Sequence, residues 1–223
     1  MRVLACGITH IGNVRAFNED AFLLSDVIIQ RDLMEKPICI ERKGNYFVFA
    51  VADGMGGHPE GEKASLIVLE ELKRCSPSDE EEINKCLHAA RDKLEEYALE
   101  NPHALGLGCA VAGLVISSKG LYAFNVGDCR VYGIKDGKLF LLTQDHRIAY
   151  YLTSALVGDP NYREFEVFIK RAEGFEGFLI CSDGLWEYIE DETDKDLQTL
   201  LSIALDRGGA DNLTAVKVSI MEV

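Results

Sequence analysis

The sequence has little positive charge: 23 lysines and arginines stand against 37 aspartates and glutamates, which gives a formal net charge of −14. This balance argues against nucleic acid or an anionic membrane as a partner, because both attract basic surfaces. Long hydrophobic runs are also lacking, since the longest, such as residues 46–52 (YFVFAVA), are far too short to span a bilayer. The N-terminus has neither the apolar stretch nor the cleavage site of a signal peptide. We therefore expect a cytoplasmic protein that binds no nucleic acid and no membrane.

Motifs of several other chemistries are missing as well. The seven cysteines are odd in number and never spaced C-x-x-C, which argues against a zinc site. Most of them lie in apolar surroundings, so we expect reduced thiols in the core. No G-x-x-x-x-G-K-[ST] loop is found, which excludes a P-loop nucleotide hydrolase. The one candidate for a cysteine nucleophile, residues 86–91 (CLHAAR), falls on an amphipathic helix and is interpreted as structural.

What the chain does contain is a succession of β-like runs with three helical segments. Runs rich in valine, isoleucine and aromatic residues predict strands at 2–10, 21–30, 37–41, 46–52, 107–117, 120–126, 129–134, 138–142, 164–170, 176–182 and 212–221. Apolar residues at helical spacing predict helices at 61–75, 79–100 and 193–206, the second opened by a capping box from Ser78 to Glu81. The pattern predicts a single α+β domain over 1–223, with two stacked antiparallel sheets flanked by helices.

Five aspartates share a position at the end of a strand or in the loop just beyond it: Asp20, Asp53, Asp128, Asp183 and Asp211. Each alone is more often a turn or cap residue than a ligand. If the strand ends converge, however, the carboxylates crowd together and require compensation. Clusters of carboxylates without histidine or thiolate suit magnesium or manganese. Two such ions would also reverse the local charge and attract a phosphate to an acidic protein.

Arg15 lies five residues before Asp20 and admits two interpretations. Its guanidinium could form a fork for phosphate oxygens. An ordinary surface salt bridge is equally compatible with the sequence.

Six segments carry these residues and follow one another along nearly the whole chain: GNVRAFNED (12–20), VADGMGGHPEGEKAS (51–65), NVGDCRVYGIKDGKL (125–139), LTQDHR (142–147), LICSDGLWE (179–187) and RGGADNLTAV (207–216). Together they resemble the signatures of the metal-dependent type 2C (PPM) serine/threonine protein phosphatases. The resemblance implies a four-layer α-β-β-α sandwich with a metal centre between the sheets at one edge. It also implies phosphorylated proteins as substrates and a role in signal transduction, and we expect a monomer.

The resemblance assigns roles to individual residues. Asp53 would bridge two manganese or magnesium ions, the Gly54 carbonyl would ligate one of them, and Asp183 and Asp211 would complete the first metal site. Glu19 and Asp20 would hold metal-bound waters, Arg15 would bind the phosphate, and Asp128 with Asp183 would support a weaker third metal. A water that bridges the metals would attack phosphorus in line, without a covalent enzyme intermediate.

The sequence departs from the family pattern at two places. Residues 108–110 (GCA) replace the usual glycine-threonine-threonine, and most of the flap expected after Arg147 is missing, as is part of the region between Trp186 and Asp206. We expect these changes to affect substrate selection and not metal chemistry. His58 is a candidate general acid, because histidine as a residue type can exchange a proton near neutral pH, but we interpret it as a loop residue. Two alternatives remain open: a non-catalytic phosphoprotein-binding module of the same fold, and a hydrolase of small phosphate esters.

Overall fold

The computed structural model describes residues 1–189 and 193–221. Its strands, in chain order, are β1 (Arg2–His10), β2 (Asp20–Leu24), β3 (Val27–Ile29), β4 (Ile38–Lys43), β5 (Phe47–Gly54), β6 (Gly108–Ser117), β7 (Gly120–Val126), β8 (Arg130–Lys135), β9 (Lys138–Leu141), β10 (Arg147–Ile148), β11 (Tyr151–Leu152), β12 (Leu156–Val157), β13 (Phe168–Arg171), β14 (Gly177–Cys181) and β15 (Leu213–Met221). The helices are α1 (Gly61–Cys75), α2 (Glu80–Glu100), α3 (Asp183–Trp186) and α4 (Leu197–Asp206), with a short 3₁₀ helix at Pro102–Ala104.

Two large antiparallel sheets organise these strands. Sheet one has the order β4-β1-β15-β14-β8-β9, and sheet two has the order β13-β7-β6-β5-β2-β3, with β12 also paired to β6. One apolar cluster lies between the sheets and contains Phe22, Phe49 and Phe178. A second cluster lies between sheet two and the helices α1 and α2. Since α3 and α4 contact sheet one through β15, the predicted sandwich of two sheets flanked by helices is confirmed.

Helix α1 has the predicted bounds, whereas the predicted start of α2 is wrong by one residue. The N-cap is Asp79, whose carboxylate accepts a hydrogen bond of 2.9 Å from the Glu82 amide. The Glu82 carboxylate in turn accepts one of 2.9 Å from the Ser78 amide. The predicted capping box from Ser78 to Glu81 is therefore replaced by bonds to Glu82: its amide is capped by Asp79, and its carboxylate binds Ser78, one position before the N-cap.

Two further predictions require correction. The run at 21–30 is not one strand, because Ser25 adopts a left-handed φ of 58° and turns β2 into β3. The expectation that all cysteines are reduced is also wrong, since Cys6 and Cys39 form a disulfide. These two residues lie directly opposite each other on β1 and β4, where side chains are close enough to be bridged. The cytoplasmic location therefore stays a prediction with less support from the cysteines.

The other five cysteines are free, and four of them are buried. No helix within the described residues is long and apolar enough to cross a membrane.

Candidate active site

The carboxylates predicted from the sequence converge on one cleft of about 880 Å³. Strand β5 ends here at Gly54, the turn after β7 carries Asp128, β14 runs into α3 at Asp183, and Asp211 lies just before β15. Six of the predicted residues line the cleft: Arg15, Asp53, Gly54, Asp128, Asp183 and Asp211. The other two, Glu19 and Asp20, lie at the start of β2, directly beside the end of β5.

Asp20 and Asp53 form the centre of the acidic cluster. They lie directly opposite each other on β2 and β5, so their side chains project from the same face of sheet two. Burial and the neighbouring carboxylates of Asp20, Asp183, Asp128 and Asp211 raise the pKa of Asp53 well above its ordinary value. Two adjacent carboxylates that strand register forces together favour a cation between them.

The Asp20 carboxylate is fully buried, and only one of its oxygens is satisfied. Oδ2 accepts hydrogen bonds of 3.0 Å from the Ser182 hydroxyl and 2.5 Å from the Thr214 hydroxyl. Oδ1 has no partner, and burial raises the pKa of Asp20 to about 7. A buried carboxylate oxygen without a donor is costly. A buried, unpaired oxygen beside other carboxylates fits a position behind a hydrated cation.

Gly54 allows the end of β5 to meet the start of α1. A Cβ on Gly54 would lie 2.4 Å from the carbonyl oxygen of Gly61 and 2.8 Å from that of Glu19. The Gly54 amide donates to the Glu19 carbonyl at 3.2 Å. Only glycine fits so close an approach, which keeps Asp53, Gly54 and Glu19 in contact at one point.

Asp183 begins α3 and faces Asp211 from the neighbouring segment. Burial, together with the charges of Asp128 and Asp211, raises the pKa of Asp183 to about 7. A Cβ on Gly184 would lie 2.0 Å from the Asn212 carbonyl oxygen, so the glycine of the Asp-Gly pair is needed to bring the two segments together. Asp183 and Asp211 therefore reach one side of the cleft through backbone contact.

Asn212 organises the loop that carries Glu19, and the sequence did not single it out. Its amide nitrogen donates to the carbonyl oxygens of Ile11 and Phe17, each at 2.9 Å. Its amide oxygen accepts a bond of 3.0 Å from the Glu19 backbone. The available signal in the sequence was the position of Asn212 directly after Asp211, because polar groups next to a metal-binding residue often hold it in place through hydrogen bonds.

Two arginines contact the acidic cluster. Arg15 donates to the Asp211 carboxylate at 2.7 Å, with side chains that are 41% and 34% exposed. Arg147, which sequence reasoning also missed, donates to the Asp128 carboxylate at 3.2 Å. Its Nη1 lies 3.9 Å from Asp183 Oδ2 and 3.6 Å from Glu187 Oε1. Arg147 opposes the effect of burial, which raises the pKa of Asp128.

The residues of the cleft have the chemistry that a hard divalent cation prefers. Their side chains are not already arranged around one ion position. Within residues 1–189 and 193–221, no three histidine, cysteine or acidic side chains stand in an arrangement that would ligate one ion directly. Yet the cleft offers carboxylates with raised pKa values and a backbone carbonyl, the donor set that magnesium and manganese prefer. The unpaired buried oxygen of Asp20 adds a specific reason for positive charge nearby.

Loop residues form the rest of the cleft wall. Strands β10 and β11 form a hairpin that begins at Arg147, where a shortened flap is predicted. The hairpin presents Tyr150 and Tyr151, which are 91% and 79% exposed, to the cleft. On the opposite loop a ring nitrogen of His58 lies 2.9 Å from the Gly106 carbonyl oxygen. His58 thus lines the cleft, and its role as an acid remains a prediction.

Comparisons with known proteins agree with this geometry. The family model described as "Protein phosphatase 2C" matches residues 24–216. The chain is 25% identical over 208 residues to the serine/threonine protein phosphatase PstP of Mycobacterium tuberculosis, a match that covers 78% of this chain and 40% of that protein. The chain therefore covers well under two thirds of this longer relative.

Two further matches extend over nearly the full length of both partners. A protein of Streptococcus pyogenes described as "Putative protein phosphatase 2C-type" is 27% identical, and the match covers 94% of each chain. The crystal structure of a bacterial serine phosphatase superposes with a TM-score of 0.77 at 25% identity and covers 98% of each chain.

Proposed function

Because the chain belongs to the protein phosphatase 2C family, we propose that it is a metal-dependent protein phosphatase that hydrolyses phosphoserine and phosphothreonine. The observation that carries the proposal is the convergence of Asp53, Gly54, Asp183, Asp211 and Arg15 on one open cleft. An acidic protein has no reason to crowd buried carboxylates at a cleft unless a cation compensates them. The proposal treats the chain as one catalytic domain.

Four groups would hold two manganese or magnesium ions: the carboxylates of Asp53, Asp183 and Asp211 and the Gly54 carbonyl. Glu19 and Asp20 lie behind the residues that line the cleft and would contact the ions through water. Such ions would supply a water of lowered pKa and would offset the negative charge of a phosphoryl group. Water is thus the nucleophile of this proposal.

Arg15 supplies the chain's own contact with the phosphate. Its guanidinium is partly exposed at the cleft and is tied to the cluster by the Asp211 carboxylate. A planar fork of donors matches two phosphate oxygens and fixes the orientation of the ester. We expect Arg15 to orient the substrate for in-line attack.

A covalent intermediate on a thiol has little support. None of the residues that line the described cleft is a cysteine. Burial raises the pKa of Cys109 and Cys129, so these thiols are poor nucleophiles at neutral pH. These observations support direct transfer to water over a thiol intermediate.

The test is release of phosphate from a phosphothreonine peptide and from a small aryl phosphate, with and without manganese. We expect manganese-dependent hydrolysis of the peptide that a chelator abolishes. Hydrolysis of the aryl phosphate alone would assign the protein to the small-ester hydrolases. Peptide binding without hydrolysis under any metal condition would identify a non-catalytic module and refute the proposal.

A further inference from the structure

Arg147 occupies an unusual position beside the proposed metal centre. Its guanidinium lies among three carboxylates, with Nη1 at 3.2 Å from Asp128 Oδ2, 3.6 Å from Glu187 Oε1 and 3.9 Å from Asp183 Oδ2. The Arg147 side chain is only 15% exposed. Two of its three partners, Asp128 and Asp183, are the residues that the family resemblance assigns to a weaker third metal.

The guanidinium is held in this place by more than its charge. Arg147 Nε donates to the Ala149 carbonyl at 2.8 Å, which ties it to the turn of the β10–β11 hairpin. Its guanidinium carbon lies 5.4 Å from the centre of the Trp186 ring, within the range of a cation–π contact. Arg147 is therefore positioned by its own hairpin and by the helix that follows Asp183.

Trp186 is itself fixed against the same cluster. Its indole nitrogen donates to the Asp128 carbonyl at 2.8 Å. The guanidinium of Arg130 lies 3.4 Å from the Trp186 ring centre and forms two bonds, of 2.9 and 2.7 Å, to the Asp145 carboxylate. This arrangement makes the surroundings of Arg147 rigid, so its contact with Asp128 is unlike a surface pair between two flexible side chains.

We propose that the Arg147 guanidinium takes the place of a third divalent ion, so that the centre binds two metal ions and carries one tethered cation. An ion ligated by Asp128 and Asp183 would have to lie about 2–2.6 Å from their oxygens. That position conflicts with a guanidinium nitrogen 3.2 Å from Asp128, because two cations would compete for the same carboxylates at contact distance. The inference rests on the proposed two-metal phosphatase and concerns how many ions that site accepts.

The test counts manganese ions bound per chain, by titration calorimetry and by electron paramagnetic resonance of free manganese. We expect two ions for the wild type. Arg147→Ser removes the tethered charge and opens its volume, so we expect a third ion, bound about tenfold or more weakly because fewer carboxylates hold it. Arg147→Lys keeps a cation and should bind two. Adding Asp128→Asn to Arg147→Ser should return the count to two.

Arg171→Ser is the matched control. Arg171 also pairs with a carboxylate, that of Glu173, and lies over an aromatic ring, that of Tyr122, but on β13 away from the cleft. The Arg171→Ser variant should bind two ions. Near-ultraviolet circular dichroism of each metal-free variant checks that the fold is intact, and Arg147→Lys gives a second variant if Arg147→Ser does not fold.

The outcomes separate this inference from the proposed function. Three ions on the wild type, or two on a folded Arg147→Ser, would overturn the inference while leaving the phosphatase proposal in place. Three ions on a folded Arg147→Lys would also overturn it. Two ions on the wild type and three on Arg147→Ser, without any phosphate release, would support the inference and refute the phosphatase proposal. A wild type that binds no manganese would refute both.

Discussion

Asp53→Asn keeps the shape of the side chain at the centre of the cluster and removes its charge. In the metal-free protein this change should be stabilising, because burial and four neighbouring carboxylates raise the pKa of Asp53 well above its ordinary value. Each unit by which a pKa is raised corresponds to about 1.4 kcal/mol of strain in the charged form. In a chain of this size about 1 kcal/mol shifts Tm by roughly 2–4 °C. We therefore expect the metal-free variant to melt at a higher temperature than the wild type at pH 8.

With manganese bound, the order of the two Tm values should reverse, and the wild type should melt above the variant. At a hundred times its Kd, one bound ion stabilises the folded state by about 2.7 kcal/mol, which corresponds to roughly 5–11 °C in Tm. A ligand shared by both ions is proposed to be lost, so the variant should show little of this rise. Because outer-sphere partners of a metal alone are worth about 10- to 100-fold, turnover should fall by more than about a hundredfold.

The assay is thermal unfolding followed by fluorescence, with and without manganese, together with phosphopeptide turnover. Asp136→Asn is the matched control, because Asp136 lies in an exposed turn with a φ of 51° that asparagine also tolerates. Retention of turnover within about threefold, with the manganese-dependent rise in Tm intact, would show that Asp53 does not bridge metals. A metal-free variant less stable than the wild type would refute the electrostatic argument.

Four further predictions concern the same cleft. Arg15→Ala should raise KM at a cost of a few kcal/mol at most, and Arg15→Lys should recover only part of the loss; an unchanged kcat/KM would return Arg15 to a purely structural ion pair. Alkylation of the folded, metal-loaded protein should leave activity nearly intact, because the free thiols are mostly buried and have no proposed role; strong inactivation would reopen the case for a cysteine nucleophile. Asp20 and Asp183 have pKa values of about 7 in the folded, metal-free protein, against an ordinary value of 3.8. Between pH 3.8 and 7 the folded state therefore binds more protons than the unfolded state. The free energy of unfolding should fall as pH rises from about 4 to 7, as denaturant titrations would measure; stability that increases over this range would contradict the pKa shifts. Finally, Tyr150→Ala should lower kcat/KM for phosphopeptides and leave kcat/KM for an aryl phosphate unchanged. The wild type should prefer one unrelated neutral peptide over another by less than about a hundredfold. A larger preference that salt does not alter would indicate a recognition pocket.

Much of the fold could be predicted from local patterns, because apolar periodicity reflects which face of each element is buried. Helix α1 begins and ends where its pattern does. The start of α2 could not be predicted to the residue, since Ser78 and Asp79 are both good N-caps. Contacts from the end of β6 and the turn after it distinguish them: Lys119 pairs with the Asp79 carboxylate at 2.6 Å, and the Ser117 hydroxyl donates to the Ser78 carbonyl at 2.6 Å.

The acidic residues of the site were predictable because they lie at ends of strands that can converge. Asp53, Asp128 and Asp183 lie at or beyond the C-terminal ends of β5, β7 and β14, as predicted, whereas Asp20 and Asp211 lie at the starts of β2 and β15. The disulfide and the role of Arg147 were not, since each depends on a partner set by strand register or by a turn. Cys6 and Cys39 are 33 residues apart and meet only because β1 and β4 pair in one register. Arg147 reaches Asp128, 19 residues away, because the β10–β11 hairpin turns directly after it.

The two arginines that contact the acidic cluster are suited to different tasks by their exposure. Arg15 is 41% exposed and holds Asp211 through one bond, and an exposed pair of this kind contributes about 0–1 kcal/mol. Arg15 can therefore exchange Asp211 for an incoming phosphate at little cost, and an ion that takes Asp211 as a ligand would favour that exchange. Arg147 is 15% exposed and contacts three carboxylates, so its removal would leave buried charge uncompensated, at a cost of about 3–5 kcal/mol. In this proposal the exchangeable guanidinium of Arg15 helps an acidic chain to bind an anion. The fixed guanidinium of Arg147 limits how many metal ions the carboxylates of Asp128 and Asp183 accept.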